Sequence, residues 1–259
     1  MSWQRTVGAA IVALVAVAAL VSSAWTPYDP LQADVAARLQ GSSPAHWMGT
    51  DQFGRDILSR VMDGARLTLT VAVGAVGISA LVGVPLGIWA GMRRGASRVV
   101  MAGADLLLAF PALLLAIVLT AVFGASIWIV VLAIGIAGVP GFVRVARAGA
   151  LQVMQQDYIL AARVAKVPGP VIARHHVLPN IWPIVLTQVS VAVALAILAE
   201  AGLSFLGLGA PAPYASWGRM LQASQPYLAT TPHLALWPGA AIALTVLGFN
   251  LLGHADDRR

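Results

Sequence analysis

Long stretches of this chain carry no charged side chain, and that absence constrains the fold more than any other feature. Residues 6–28, 67–92, 106–143, 175–199 and 220–255 contain no Asp, Glu, Lys or Arg. A helix that crosses the hydrocarbon core of a bilayer needs about 20 mainly apolar residues, so each gap can hold a crossing and the longest can hold more than one. Charged residues make up 10% of the chain and apolar ones 59%, against about 25% charged in globular domains. A soluble domain of this composition would lack the polar side chains to cover its surface, and a disordered chain would show the opposite bias. Trimming the gaps at Gly, Pro and polar breaks predicts six spans, about 7–25, 68–92, 99–123, 127–146, 181–206 and 234–253. The fold class is an all-α membrane protein with the lipid bilayer as its solvent.

The basic residues predict an orientation, because Lys and Arg are retained in cytoplasmic loops. Six spans place both termini on one side. With the N-terminus inside, Arg5, Arg93, Arg94, Arg98, Arg144, Arg147, Arg163, Lys166, Arg174, Arg258 and Arg259 are cytoplasmic, while Arg38, Arg55, Arg60, Arg66 and Arg219 are external. That puts eleven of the 16 basic residues on one face. Asp29, Asp34, Asp51, Asp56 and Asp63 all fall outside. Both termini are therefore predicted to be cytoplasmic, in a multi-pass protein of a cell membrane. The net charge of +6 comes with one lysine and no basic run, which makes it a topology signal and argues against a nucleic-acid partner. Arg5, the apolar stretch 7–21 and Ser22-Ser23-Ala24 also resemble a cleavable signal peptide ending near residue 24. Against cleavage, the uncharged run continues to Tyr28, and Trp25 and Tyr28 suit an interfacial belt.

Two connections are long where the rest are short. The external one, 26–66, closes an N-terminal unit, 1–66, ahead of a bundle unit, 67–259. It contains His46-Trp47-Met48-Gly49-Thr50-Asp51-Gln52-Phe53-Gly54-Arg55-Asp56, where Asp51 is placed to cap a short helix whose Ile57, Leu58 and Val61 recur at helical spacing. An interfacial amphipathic helix is expected there, with a role in receiving substrate as the alternative. In the cytoplasmic loop, 147–180, the segment 157–167 reads as a short Ala-rich helix stopped by Pro168-Gly169-Pro170. A second short helix, 171–177, leads through Leu178-Pro179-Asn180 into the fifth span. Helices this short are marginal alone, so they pack either on the bundle's own face or on a separate cytoplasmic protein.

Catalytic and metal chemistry find no support in the sequence. Cysteine is absent, which removes disulfides, thiolate metal sites and thiol nucleophiles. His175 and His176 are adjacent and so diverge by about 100° on a helix instead of converging on a metal. There is no G-x-x-x-x-G-K, H-E-x-x-H or G-x-S-x-G motif. An intramembrane enzyme would need its reactive groups at one depth, and Asp105 and Glu200 are predicted at opposite ends of the bilayer.

Several motifs in one order carry a family resemblance. The helix Tyr158-Ile159-Leu160-Ala161-Ala162-Arg163, a break, and His176-Val177-Leu178-Pro179-Asn180 resemble the coupling loop of permease subunits of binding-protein-dependent ABC importers. Glu200-Ala201-Gly202-Leu203-Ser204-Phe205-Leu206-Gly207-Leu208-Gly209 with Ser216-Trp217-Gly218 is similar to the C-type permease of the dipeptide, oligopeptide and nickel branch. Trp47-Met48-Gly49-Thr50-Asp51, Gly54-Arg55-Asp56, Ser59-Arg60, and Asp105 with Phe110-Pro111 resemble the same branch, so that nearly the whole chain is covered.

The resemblance implies a type I importer permease fold and one half of a heterodimeric pore. Its partners would be a B-type permease, two cytoplasmic ATPases that bind ATP and Mg, and an extracytoplasmic solute-binding protein. No cofactor is expected on this chain, and it has no nucleotide-binding motif of its own. The implied cargo is a short peptide, with nickel or a glutathione-type peptide as the runner-up and a non-transporting scaffold as a remote alternative. The helix at 158–167 would seat in a groove on the ATPase, through Tyr158, Leu160, Ala161, Ala162, Arg163 and Lys166, with Pro179 behind it. Two departures stand out: the family usually has Glu before the paired alanines and Gly four residues after them, where this chain has Leu160 and Lys166. Its C-terminal tail is short, ending in Gly253-His254-Ala255-Asp256-Asp257-Arg258-Arg259.

Three positions are gate or pore candidates. Asp105 lies about 10 Å deep by helical rise from Arg98, either hydrogen-bonded near the inner mouth or acting at a gate. Glu200, about 30 Å along the fifth span from Asn180, is a loop-pinning residue or a charge at the external gate, with Ser204 one turn on. Gly83, Gly87 and Gly91 share one helical face and let another helix approach closely. Pro111 and Pro140-Gly141 are expected to kink spans three and four.

Overall fold

The computed structural model describes residues 3–124, 126–209, 211 and 213–253. Among them there is no β-strand, only an isolated bridge between Thr50 and Asp56. The helices are α1 (Trp3–Val21), α2 (Ile57–Met92), α3 (Arg94–Ala109), α4 (Ala112–Phe123), α5 (Ile127–Val153), α6 (Asp157–Val164), α7 (Gly169–Ile172), α8 (Leu178–Phe205), α9 (Trp217–Ser224) and α10 (His233–Gly253). Five helices are long and apolar enough to cross a membrane, and the bent pair α3 and α4 makes a sixth crossing if counted as one span.

The boundaries depart from the sequence reading in four places. The external helix expected behind Asp51 is absent; α2 itself begins at Ile57, and Asp56 caps it by accepting from Ser59 N at 2.8 Å. Ile57, Leu58 and Val61 are thus the first turn of a 36-residue helix about 54 Å long at 1.5 Å per residue, well beyond a bilayer core of about 30 Å. The third span is broken, with an 80° bend between α3 and α4. Proline disfavours a helical residue before it and lacks the amide donor, and Phe110 accordingly takes φ −93°, ψ 120° ahead of Pro111. By contrast, α5 runs through Pro140 and on to Val153. The two helices expected across Pro179 are one continuous helix from Gly169 to Phe205. It passes through a π turn at Ala173–Val177, closed by Leu178 N donating to Ala173 O. Pro179 then falls in the first turn of α8, where a missing donor is tolerated, and Asn180 Nδ2 donates to His176 O at 2.6 Å.

The glycine triple holds the fold together. A Cβ at Gly83 would lie 2.6 Å from Phe142 Cβ, one at Gly87 2.5 Å from Val143 O, and one at Gly91 2.6 Å from Ala150 Cβ. The contacts advance together along both chains, so α2 and α5 run parallel. The triple therefore serves packing within the chain. α8 runs back against them: Ile181 lies by Gly149, and Thr68 meets Glu200. α1 docks on α10 as closely, since a Cβ at Gly8 would sit 2.8 Å from Gly248 O. These directions collect Arg5, Arg93, Arg94, α6 and the π turn at one end of the bundle, and 22–56 and α9 at the other.

The seam is testable by a matched pair. Gly87→Ala forces apart backbone already in contact, whereas Gly77 has nothing within 4 Å of its Cβ position. Overpacking costs about 1–3 kcal/mol. Gly87→Ala is expected to lower the thermal unfolding midpoint in detergent by several degrees and Gly77→Ala to leave it level or slightly raised; equal behaviour would contradict the seam.

Candidate functional site

At the Arg93 end, α6 presents an exposed face. Asp157 opens it and Arg163 closes it, as the helix dipole favours. Ile159 is buried in the same core as Ile172 and Val177, and Ala162 is half-buried against that core. Tyr158, Leu160, Ala161, Arg163, Lys166 and Pro179 are all exposed. Leu160 and Val164, one turn apart, are 54% and 84% exposed, an apolar stripe that nothing among the described residues covers. The Tyr158 ring lies 6.0 Å from that of His176, centroid to centroid, so α6 rests directly on the π turn that starts the next span.

Backbone geometry at Lys166 favours glycine. α6 ends before the prolines, at Val164, in a left-handed turn: Lys166 N donates to Arg163 O at 2.9 Å and Val167 N to Ala162 O at 3.0 Å. This pattern requires a positive φ, which Gly supplies without strain, and Lys166 adopts φ 55°. α8 ends the same way, with Gly207 at φ 82° donating to Ser204 O and Leu208 N to Leu203 O. Glycine is thus the residue the turn prefers, and Lys166 substitutes a charged side chain at a conformational cost of about 1–2 kcal/mol.

At the opposite end, Glu200 is 1% exposed. Thr68 Oγ1 donates to its Oε2 at 3.1 Å and Ser204 Oγ to its Oε1 at 2.6 Å, and the Ser216 side chain stands close to the same carboxylate. Ser216 also caps α9. Trp217, 1% exposed, donates Nε1 to Val61 O at 2.9 Å, and Gly218 lies against the Ala201 backbone so closely that a Cβ would overlap it. The motif Ser216-Trp217-Gly218 therefore locks α9 onto α2 and α8. The geometry fits the loop-pinning reading of Glu200 and Ser204, with both carboxylate oxygens occupied inside the chain. Asp105 is not buried: it pairs with Arg144 Nη2 at 2.7 Å, both side chains being more than half exposed, which joins α3 to α5 and contributes at most about 1 kcal/mol.

The segment 26–56 forms a folded cap without a helix longer than the turn at Val35–Ala37. Asp51 accepts from Phe53 N, Arg55 N and Arg55 Nε at 2.7–3.0 Å, so it closes a turn and does not start a helix. Thr50 Oγ1 donates to Ala37 O, Tyr28 OH to Ala45 O at 2.8 Å, and Arg60 Nη1 to Pro30 O at 2.9 Å. His46 Nδ1 lies 3.0 Å from Asp56 Oδ1, on the residue that caps α2. Thr68 was not singled out in the sequence, and His46 and Ser216 entered only as members of motifs, since nothing periodic marks a long-range hydroxyl or imidazole contact. Among the described residues no group of His, Asp and Glu could hold a metal ion. The tail 254–259 lies outside the described residues.

A model of the family described as "binding-protein-dependent transport system inner membrane component" matches residues 83–255. The chain belongs to this family. The permease is 40% identical over 235 residues to the dipeptide transport system permease protein DppC of Alkalihalophilus pseudofirmus, covering 90% of this chain and 76% of that one. It is 40% identical to the glutathione transport system permease protein GsiD of Pectobacterium atrosepticum, covering 83% and 71%. It is 37% identical to the probable D,D-dipeptide transport system permease protein DdpC of Escherichia coli, covering 96% and 84%. In fold it is similar to a chain of the MetNI methionine ABC transporter in an inward-facing conformation, with a TM-score of 0.65 at 15% identity over 76% of the permease and 94% of that chain. The permease is therefore an all-α inner membrane protein with the fold of an ABC importer permease, in a system that includes a binding protein and an ATPase.

The left-handed turn gives a direct prediction. Lys166→Gly removes the strain but loosens the unfolded chain, for a net gain of about 0.5–1 kcal/mol. Amide exchange at Ala165, Lys166 and Val167 is expected to slow in the variant; faster exchange would mean the turn is not strained by Lys166.

Proposed function

We propose that this chain is a pore subunit of an ATP-driven importer of short peptides and that α6 is its coupling helix. The observation that carries the reading is the α6 surface: a short helix anchored by Ile159, abutting the π turn through Tyr158, and leaving Leu160, Ala161 and Val164 uncovered. A helix this short is marginal alone, and an apolar stripe at the basic end of the bundle fits a groove on a cytoplasmic ATPase. Both termini and α6 are cytoplasmic in this reading, and 26–56 is external. The permease works beside a second, B-type permease and two ATPases that bind ATP and Mg, and it receives solute from the binding protein. Closure of the ATPases moves α6, and the continuous helix behind it passes the movement to the spans as a rigid body. Asp105, Glu200 and Ser204 contribute to the pore walls indirectly, by holding α3, α8 and α9 in place. This chain binds no cofactor and performs no chemistry.

The peptide cargo is supported by the dipeptide and D,D-dipeptide permeases among the relatives. A glutathione-type cargo is the second reading, since the glutathione permease is as similar. Uptake by the complete importer in proteoliposomes, with a dipeptide and with glutathione, separates them. Ala161→Arg, at an exposed position, is expected to leave the complex folded and to cut uptake at least tenfold while ATP hydrolysis loses its stimulation by the loaded binding protein. Unchanged uptake in that variant would contradict the assignment of α6.

A further inference from the structure

A slot of about 650 Å³ lies between the second half of α2 and the helix formed by α7 and α8. Its walls are apolar, among them Leu81, Ile88, Trp89, Leu178, Trp182 and Val185, and no Asp or Glu lines it. The charged residues that do line it are Arg93 and Arg174. Arg93 directly follows α2 and Arg174 stands in the π turn ahead of α8, so both guanidinium groups belong to the same end. Both residues are exposed, and among the described residues neither side chain has a hydrogen-bond or ion-pair partner.

Depth and lining favour a lipid over a protein helix. From Ala80 to Met92 the slot follows α2 for about 18 Å at 1.5 Å per residue, close to the roughly 15 Å of one leaflet of a 30 Å hydrocarbon core. Trp89, one turn before Arg93, stands where aromatic belts meet headgroups. Helices that pack closely in membranes meet through small residues, as α2 does on its α5 side. On the slot side it shows bulky ones instead: Leu81 is 79%, Trp89 48% and, across the slot, Trp182 52% exposed. Planar guanidinium groups bind phosphate oxygens through paired N–H donors.

We infer that this slot holds an acyl chain of an anionic phospholipid, with its phosphate headgroup between Arg93 and Arg174. The lipid ties the end of α2 to the π turn beside α6, and so sits where movement of α6 enters the bundle. The inference needs the chain to be membrane-embedded but does not depend on the cargo or on coupling by α6.

The complete importer, reconstituted in nanodiscs of equal phosphatidylglycerol and phosphatidylcholine and released in mild detergent, is analysed by native mass spectrometry for retained lipid. Retention of phosphatidylglycerol over phosphatidylcholine is expected, falling about fivefold for each of R93Q and R174Q, as about 1 kcal/mol per basic residue implies. A photo-crosslinking residue in place of Leu81 is expected to capture lipid. Equal retention of the two lipids in the parent protein, or a preference unchanged in the double variant, would overturn the inference. So would capture of a partner's transmembrane helix at position 81, which would make the slot a protein interface.

Discussion

Close approach of α2 and α5 is the contact on which the other elements depend. In lipid, apolar surfaces gain nothing by meeting each other, so helices associate through van der Waals fit and hydrogen bonds. Three glycines one turn apart on α2 let its backbone reach Phe142, Val143, Ala146 and Ala150 of α5, and Ser79 Oγ adds a bond of 2.6 Å to Gly135 O across the same seam. Because the two helices run parallel, they finish together at Met92 and Val153, while α2 starts several turns before α5. α8 then runs antiparallel across both, and α10 and α1 stack outward from it.

The two ends have different physical characters. At one, buried carboxylates are satisfied internally: Glu200 takes hydroxyls from Thr68 and Ser204, Asp56 caps α2 while touching His46, and the cap at 26–56 is tied down by side chain to backbone bonds that span up to 31 residues. Buried carboxylates of this kind are costly unless every oxygen has a partner, and here Thr68 of α2 and Ser204 of α8 supply one each, which fixes α2 to α8. At the other end the surface is left open, with basic residues, an uncovered apolar stripe on α6, and a π turn in the backbone. π turns are a departure from regular helix found often at functional sites, and this one lies between the α6 contact and the span it leads into. A braced end at 26–56 and an open end at α6 suit the proposed subunit that is moved from one side.

Much of this was legible in the sequence. Charge-free gaps located the spans, because desolvating a charge is so unfavourable that its absence is informative over twenty residues at a time. Gly83, Gly87 and Gly91 announced a close helix contact, although not that the partner was α5. The external segment was misread because Ile57, Leu58 and Val61 do have helical spacing; they belong to α2, and its start is set by Asp56, whose capping role needs Ser59 N within reach. The cap at 26–56 has no period at all, since its order comes from contacts such as Tyr28 with Ser59 and Thr50 with Ala37. Lys166 was visible as a departure, but what makes glycine the preferred residue there, a positive φ, belongs to the backbone. Asp105 was placed in the bilayer by counting from Arg98, a count that cannot foresee the 80° break after α3 or the pairing of the carboxylate with Arg144.

Everything proposed for the two ends rests on their lying on opposite faces of the membrane. The chain has no cysteine, so single cysteines can be placed without background. Trp47 is 71% exposed in the cap, and Lys166 is exposed at the end of α6. With a membrane-impermeant maleimide, Trp47→Cys is expected to label in intact spheroplasts and Lys166→Cys only after the membrane is opened. Labelling of both from the same side, or of Lys166→Cys in intact spheroplasts, would contradict the arrangement.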